Sequence, residues 1–184
     1  MNPAPISRIT GGEAEDYATM SDFCKLFMDE MDSLYQLSFL LTGDHEKAEQ
    51  CFVAGLEDSV KQNLVFKQWA RAWAKRMIVV NAVRMIAPRP DHTAGPPIAV
   101  DLEFARDFHI VHDKDGMLVS VLELADFERF VFVMSVLERF PQQDCSALLG
   151  CSLQEFSEAR ARALVQVARS YAERAGSDVE ALTH

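Results

Sequence analysis

The sequence lacks the patterns that mark most enzymes, metal sites and membrane segments. It contains no nucleophile-elbow motif, no glycine-rich loop that would hold phosphate and no HExxH motif. It has no run of eighteen apolar residues, which excludes a transmembrane helix, and its first residues do not resemble a secretory signal. We therefore expect a cytoplasmic protein that is not an enzyme, requires no cofactor and has no membrane partner.

Cysteine and histidine are also scarce, and neither forms a convincing metal site. The four cysteines, at positions 24, 51, 145 and 151, show no metal-ligand spacing, so free thiols in a reducing compartment are expected. His109 and His112 are the only histidine pair with a metal-like spacing, and no Cys, Asp or Glu arrangement completes a site with them. Unliganded surface histidines are the simpler interpretation, and no bound metal is expected.

Basic residues are few, and they are concentrated in one segment. The net charge is −10, which by itself disfavours a nucleic-acid partner. Residues 1–60 contain three basic and twelve acidic side chains, whereas residues 61–90 contain seven basic side chains and no acidic one. We call these seven the basic block: Lys61, Lys67, Arg71, Lys75, Arg76, Arg84 and Arg89. Such a block indicates either a surface for polyanions or a solvated face that balances the acids of residues 1–60.

The hydrophobic periodicity predicts an all-α fold. From Ser21, which we expect to cap the first helix, apolar residues recur at helical spacing until Gly43 ends the pattern. Asp44 is expected to cap a second helix, and Pro88 limits a third long helix within residues 60–86. The expected inner face of the second helix consists of Ala48, Cys51, Phe52 and Leu56.

A second group of three helices is predicted near the carboxyl end. The first of them should end at Phe140-Pro141, because the residue before a proline is disfavoured in a helix. Gly150 is placed to end the second helix, and Ser152 with Glu155 forms a capping box for the third. The buried stripes are expected to be Phe127, Phe130, Val131, Met134 and Leu137, then Cys145, Leu148 and Leu149, then Phe156, Ala159, Ala163, Leu164 and Val167. This pattern is typical of a helix-turn-helix, although an ordinary helical hairpin has the same spacings.

Proline-rich sequence between the two groups predicts two small helical domains. Ala87-Pro88-Arg89-Pro90 and Gly95-Pro96-Pro97 interrupt regular structure, and so long a loop is unusual inside one compact domain. The predicted organisation is a mobile N-terminus of residues 1–20, a helical domain of residues 21–87, a linker of residues 88–119, a helix-turn-helix domain of residues 120–172 and a tail of residues 173–184. A short amphipathic piece is expected around Leu102–Phe108 in the linker.

Two parts of the chain resemble bacterial RNA polymerase sigma factors of the extracytoplasmic-function type. The sequence LYQLSFLLTGDHEKAE, residues 34–49, is similar to the opening of sigma region 2, and residues 66–84 resemble the helix that engages the −10 promoter element. LADFERFVF at residues 124–132 and ALLGCS at residues 147–152 resemble region 4, which reads the −35 element. The matches follow the family's order and together span about residues 23–86 and 122–168. The resemblance implies promoter DNA and core RNA polymerase as partners, with an anti-sigma protein as a further partner.

The basic block and the last predicted helix supply the candidate DNA contacts. Lys67, Arg71 and Lys75 are four residues apart, so they share a helix face that could follow a phosphate backbone. Trp69 and Trp73 lie on a neighbouring face, and bases stack on indole rings with about 1–3 kcal/mol each; in the alternative, both tryptophans belong to the core. The candidate DNA-binding residues are Lys67, Trp69, Arg71, Trp73, Lys75, Arg76, Arg84, Gln154, Ser157, Arg160 and Arg162.

The chain departs from the family where the resemblance places the polymerase contact. In place of the family's "aspartate-x-x-glutamine-acid-x-phenylalanine" segment it has Gln50, Val53, Ala54 and Leu56, which are the candidate polymerase-binding residues. The last helix is also acidic, with Glu155 and Glu158 at positions that would repel phosphates. The alternative is therefore a divergent sigma-like scaffold that acts as a protein-interaction module without promoter recognition. Pairing of the basic block with acids of residues 1–60 would favour this alternative.

Overall fold

Eight α-helices make up most of the chain that the computed structural model describes, which is residues 16–61, 64–90 and 114–181. They are α1 (Met20–Asp29), α2 (Met31–Thr42), α3 (His45–Lys61), α4 (Ala70–Ile86), α5 (Lys114–Leu122), α6 (Asp126–Phe132), α7 (Gln142–Leu149) and α8 (Leu153–Ala181). A 3₁₀ turn, Lys67–Trp69, precedes α4, and a π-helical segment, Val133–Leu137, continues α6. The all-α prediction is confirmed. Over these residues, no helix has both the length and the apolar character that crossing a membrane requires.

The first predicted helix is in fact two helices, α1 and α2, that meet at Glu30. The cap of α1 is Thr19 and not the predicted Ser21: the Thr19 hydroxyl accepts from the Asp22 backbone N–H, and the Asp22 carboxylate accepts from the Thr19 N–H. Glu30 leaves the helical conformation, with φ −114° and ψ 22°. The sequence does not reveal this break, because the buried apolar residues keep a helical spacing across it.

The predicted connection from α2 to α3 is confirmed. Gly43 adopts the left-handed conformation, with φ +68°, and the Asp44 carboxylate accepts from the backbone N–H of Lys47 at 2.9 Å. On α3, Ala48 and Cys51 are buried, and Phe52 and Leu56 pack partly buried against the core. The helix approaches α4 so closely that a Cβ atom at Gly55 would lie 2.7 Å from the Ile78 side chain.

The three carboxyl-terminal helices α6, α7 and α8 are joined as predicted. Gly150 has φ +65°. The Ser152 backbone N–H donates to the Glu155 carboxylate at 2.8 Å, and the Glu155 N–H donates to the Ser152 hydroxyl at 3.2 Å, which completes the capping box. The residues of the three predicted stripes are buried, except that Leu137 and Leu148 are partly exposed.

Three boundaries differ from the sequence predictions. The first helix of this group changes to π geometry and stops at Leu137, and Arg139 is left-handed with φ +56° before Pro141 is reached. Helix α5 begins inside the predicted linker, and α8 continues to Ala181 through most of the predicted tail. Residues 153–181 contain no proline, so helix propensity does not prevent α8 from continuing through the predicted tail.

Residues 16–19, which precede α1, are held in place by backbone hydrogen bonds, whereas residues 1–15 of the predicted mobile N-terminus lie outside the described residues. The Ala18 N–H donates to the Val65 carbonyl at 2.7 Å, and the Lys67 N–H donates to the Asp16 carbonyl at 2.8 Å. These bonds flank an isolated antiparallel bridge that joins positions 17 and 66. The amphipathic piece predicted at Leu102–Phe108 and the histidine pair lie outside the described residues.

The two helical groups, α1–α4 and α5–α8, pack against each other. A single connected cluster of buried apolar side chains includes Leu37 and Ile78 from the first group and Phe130 and Val133 from the second. Arg129 on α6 reaches across this seam, with 8% of its side chain exposed. Its guanidinium donates to the carbonyl of residue 41, near the end of α2, at 3.4 Å, where the helix dipole favours a cation. The division into two domains stays a prediction, while the core of the described residues is continuous.

Candidate nucleic-acid interface

The backbone bridge beside α1 places the start of the basic block next to an acid. The rings of Tyr17 and Phe66 stack with centroids 4.6 Å apart, which fixes the 3₁₀ turn against the segment before α1. Lys67 Nζ then lies 3.7 Å from Asp22 Oδ2. The pKa of Asp22 is lowered, chiefly by the hydrogen bonds from Thr19 and further by the charge of Lys67. Asp22 therefore stays anionic and neutralises this lysine at neutral pH.

The next two cations of the same helix face are also paired. Arg71 Nε lies 2.7 Å from Glu30 Oε2, a charge contact without the geometry of a directed hydrogen bond. Lys75 Nζ donates to Glu138 Oε2 at 2.5 Å, and these two side chains are only 19% and 15% exposed. Because Glu138 follows the π-helical segment, this ion pair connects α4 to the second helical group.

At the carboxyl end of α4, Arg84 is also paired with a carboxylate, that of Asp58 on α3. Asp58 Oδ2 accepts from Arg84 at 3.2 Å and from Asn81 at 3.1 Å, and Asp58 Oδ1 accepts from Lys61 at 3.2 Å. The pKa of Asp58 is lowered, first by the Asn81 hydrogen bond and then by its two cationic neighbours. Within the described residues, Arg76 is the only cation of α4 that has no ion-pair partner.

The two tryptophans differ in exposure, so the alternative that both belong to the core does not hold for Trp69. Its side chain is 57% exposed, and its ring meets that of Phe66 edge-on, with centroids 5.2 Å apart. Trp73 is partly buried, and its indole N–H has no hydrogen-bond partner among the described residues. Of the two tryptophans, only Trp69 is largely exposed.

The candidates on α8 are largely occupied by intramolecular contacts. The Gln154 amide donates to Glu158 at 2.9 Å, and the Ser157 hydroxyl accepts from the Gln142 amide at 2.7 Å. Arg162 donates through Nε and Nη2 to one oxygen of Glu128, at 3.1 and 2.9 Å, and is 20% exposed. Arg160 is partly buried, and its Nε has no partner in the part of the chain described. The face of α8 that would meet DNA therefore presents few free donors.

The candidate polymerase-binding residues on α3 do not form a continuous apolar strip. Val53 is 53% exposed, whereas Ala54 is partly buried and Leu56 packs against the core. Gln50 is exposed, and its amide donates to Glu46 at 3.3 Å. Val53 alone offers apolar contact area on this face.

The sequence analysis missed the acids that engage the basic block. Asp22 and Glu30 come from the acidic first part of the chain, and Glu138 lies 63 residues beyond its lysine. The contrast in charge between residues 1–60 and 61–90 signals that such pairing is available, but it does not identify the partners. Arg129 was also missed, since nothing in its local sequence predicts its contact with α2.

The described residues contain no group of three or more His, Cys, Asp and Glu side chains that could hold a metal ion. No protein-family model matches the chain, and no curated protein matches it.

Proposed function

We propose that this protein is a divergent sigma-like scaffold that acts as a protein-interaction module and does not recognise promoters. One observation carries the proposal: the three cations that would follow a phosphate backbone already have carboxylate partners. Lys67, Arg71 and Lys75 lie 3.7, 2.7 and 2.5 Å from carboxylate oxygens. Binding to DNA depends strongly on cations that replace counterions at phosphates, and a cation with an internal carboxylate partner contributes less to that exchange.

The carboxyl-terminal helix supports the same proposal. Arg162 is held by Glu128, so its donors do not point freely to a groove. The exposed start of α8 carries Glu155 and Glu158 instead of basic residues. Negative side chains near phosphates raise the free energy of a DNA complex.

The contact between the two helical groups is a third support. A factor that reads two separated promoter elements must present each group independently, whereas here the groups share buried apolar side chains and the Lys75–Glu138 ion pair.

The four free cysteines, Cys24, Cys51, Cys145 and Cys151, suit a reducing cytoplasm, and we place the protein there.

Promoter binding together with core RNA polymerase is the second candidate, and the exposed ring of Trp69 favours it. Lys67 and Arg71 are each two positions from Trp69 in the sequence, and aromatic rings with nearby cations suit melted, single-stranded DNA. The two candidates differ in whether the paired cations are released to DNA.

DNA-binding measurements with matched charge variants test the proposal. The test variant removes the acids but keeps the cations: Asp22→Asn, Glu30→Gln and Glu138→Gln. The control variant makes the same change in net charge at exposed positions away from the basic block: Glu46→Gln, Glu49→Gln and Asp144→Asn. We expect weak binding of the wild type to duplex and forked DNA, and a gain of about tenfold or more at low salt for the test variant only.

Two results would overturn the proposal in favour of the second candidate. The first is tight, salt-dependent binding of wild-type protein to forked DNA that Arg71→Glu with Lys75→Glu abolishes. The second is a stoichiometric complex with core RNA polymerase in a pull-down experiment, provided that this complex also produces transcripts in a run-off transcription assay.

A further inference from the structure

Three exposed methionines cluster where α1 meets α2. Met20, Met28 and Met31 are 66%, 70% and 55% exposed, and they lie within twelve residues of a chain that has eight methionines in total. Cys24, which is also exposed, lies between the first two. We call these four residues the methionine corner. Large apolar side chains that are grouped and exposed mark interaction surfaces, and methionine is common on surfaces that adapt to partner helices.

The corner has the shape that a helix requires. Met20, Cys24 and Met28 follow each other at intervals of four positions on α1. They therefore form a stripe about 12 Å long, at about 1.5 Å per residue. The break at Glu30 places Met31 beside the end of this stripe. A depression of about 300 Å³ at this point is lined by Met28 and Met31 together with the polar residues Asp29, Glu30, Asp32, Ser33 and Arg71. A stripe that leads into a depression fits apolar anchors spaced three or four residues apart on a partner helix.

The charges around the corner identify the kind of helix that fits. Residues 20–33 contain four carboxylates and a single lysine, namely Asp22, Asp29, Glu30 and Asp32 with Lys25. Two of the carboxylates are paired with the basic block. Asp29 and Asp32 are exposed and have no ion-pair partner in the described parts of the chain. The apolar stripe is thus bordered by acids that are free to meet cations.

We propose that the methionine corner docks an amphipathic helix of another protein that carries Lys or Arg beside its apolar face. The proposal deepens the proposed function, on which it rests, by naming the surface and the chemistry of the partner. The flexible methionines fill the spaces between apolar anchors, and Asp29 and Asp32 meet the flanking cations. A second copy of this chain would bring like charges together at the corner, and an anionic membrane would be repelled by the same acids.

Peptide binding to the full chain tests this surface. The probe is a fluorescein-labelled amphipathic helix of about 18 residues, with leucine on one face and lysine on its flanks; a second probe has glutamate in place of lysine. The test variant is Met28→Gln with Met31→Gln, and the control is Val119→Gln with Leu153→Gln, which changes exposed apolar residues elsewhere. We expect fluorescence anisotropy to show about tenfold weaker binding of the basic probe by the test variant, and about the same loss for the acidic probe on wild type.

Alkylation of Cys24 gives an independent measure of where the probe binds. Burial raises the pKa of Cys51 and of Cys145 to about 11 and also raises that of the partly buried Cys151, so these three thiols react slowly and the exposed Cys24 reacts first. Bound basic probe should slow the alkylation of Cys24. The proposal that the methionine corner docks a helix would be overturned by either of two results. The test and control variants could bind the probe with equal affinity, or probe binding could leave the alkylation rate of Cys24 unchanged.

The DNA measurements described above separate failure of the corner from failure of the proposed function. Weak DNA binding together with a negative peptide result refutes the corner alone. Tight, salt-dependent DNA binding by the wild type refutes the proposed function, whatever the peptide does.

Discussion

The ion pair between Lys75 and Glu138 connects the two helical groups, and its strength can be worked out and measured. The ammonium and carboxylate are 2.5 Å apart, in side chains that are 19% and 15% exposed. At an effective dielectric constant of about 20, two unit charges about 3 Å apart attract each other by about 5 kcal/mol. Desolvation of both groups offsets much of this attraction. We therefore expect a net coupling energy of about 1–3 kcal/mol between the two side chains.

A double-mutant cycle measures this coupling. Lys75→Met keeps the apolar stem but leaves a largely buried carboxylate unpaired, so it should lower the free energy of unfolding by about 2–3 kcal/mol. Glu138→Gln should cost less, because the amide oxygen still accepts from the ammonium group. The double variant should be more stable than the sum of the single effects predicts, by the coupling energy. Urea unfolding followed by circular dichroism at the helical band gives all four values.

The exposed pair Arg169 and Glu173 is the matched control. Its charged atoms are 3.8 Å apart on α8, and the side chains are 78% and 71% exposed. A cycle with Arg169→Met and Glu173→Gln should give about 0.5 kcal/mol or less. If the Lys75–Glu138 coupling is no larger than this, the ion pair does not hold the two groups together, and the reasoning that α4 is neutralised across the seam fails.

Three further predictions concern stability. Gly43→Ala and Gly150→Ala should each lower the free energy of unfolding by about 1–2 kcal/mol in urea unfolding, because both positions have positive φ. An added Cβ at Gly43 would meet the Arg129 guanidinium at 3.4 Å, an ordinary van der Waals contact that adds little; no loss at either position would contradict this. Asp58 has a lowered pKa, first because Asn81 donates to it, so its contribution is present above the unfolded-state pKa of about 4 and is lost as the pH falls through the folded-state pKa. The stability difference between wild type and Asp58→Asn should therefore shrink below about pH 4 in a pH series of thermal melts, and a constant difference would refute it. Ser152→Ala should lower the free energy of unfolding by about 1 kcal/mol, since it removes the hydroxyl that caps α8; Ser152→Thr, which retains a hydroxyl, is the control.

Three of the four cations on α4, and Lys67 just before it, have carboxylate partners, while the side chains of Lys67, Arg71 and Arg84 remain 50%, 61% and 67% exposed. The acids come from α1, from the junction at Glu30, from α3 and from the end of the π-helical segment. The methionine corner uses the same junction, but its own acids, Asp29 and Asp32, are not consumed by these pairs. The protein therefore presents two unpaired carboxylates, Asp29 and Asp32, beside exposed apolar side chains.

The sequence by itself determined the local features of this protein. Gly43 and Gly150 end helices because only glycine adopts positive φ without strain, and the capping box at Ser152 depends on residues three apart. The apolar stripes of the carboxyl-terminal helices follow directly from the helical period. Each of these depends on neighbours within one or two turns, which is the range over which a pattern in the sequence specifies geometry.

Only the tertiary structure decided which surfaces are available. The apolar residues keep a helical spacing across the break between α1 and α2, so the sequence does not reveal the break. Helix α5 begins in a segment that the sequence predicts to be a linker. The partners of Lys67, Arg71 and Lys75 lie 45, 41 and 63 positions away along the chain. The more exposed pairs of Lys67 and Arg71 contribute about 0–1 kcal/mol each, too little to impose any pattern on the sequence. Their formation depends on how the helices pack, and this packing decides whether the basic block is open to a polyanion.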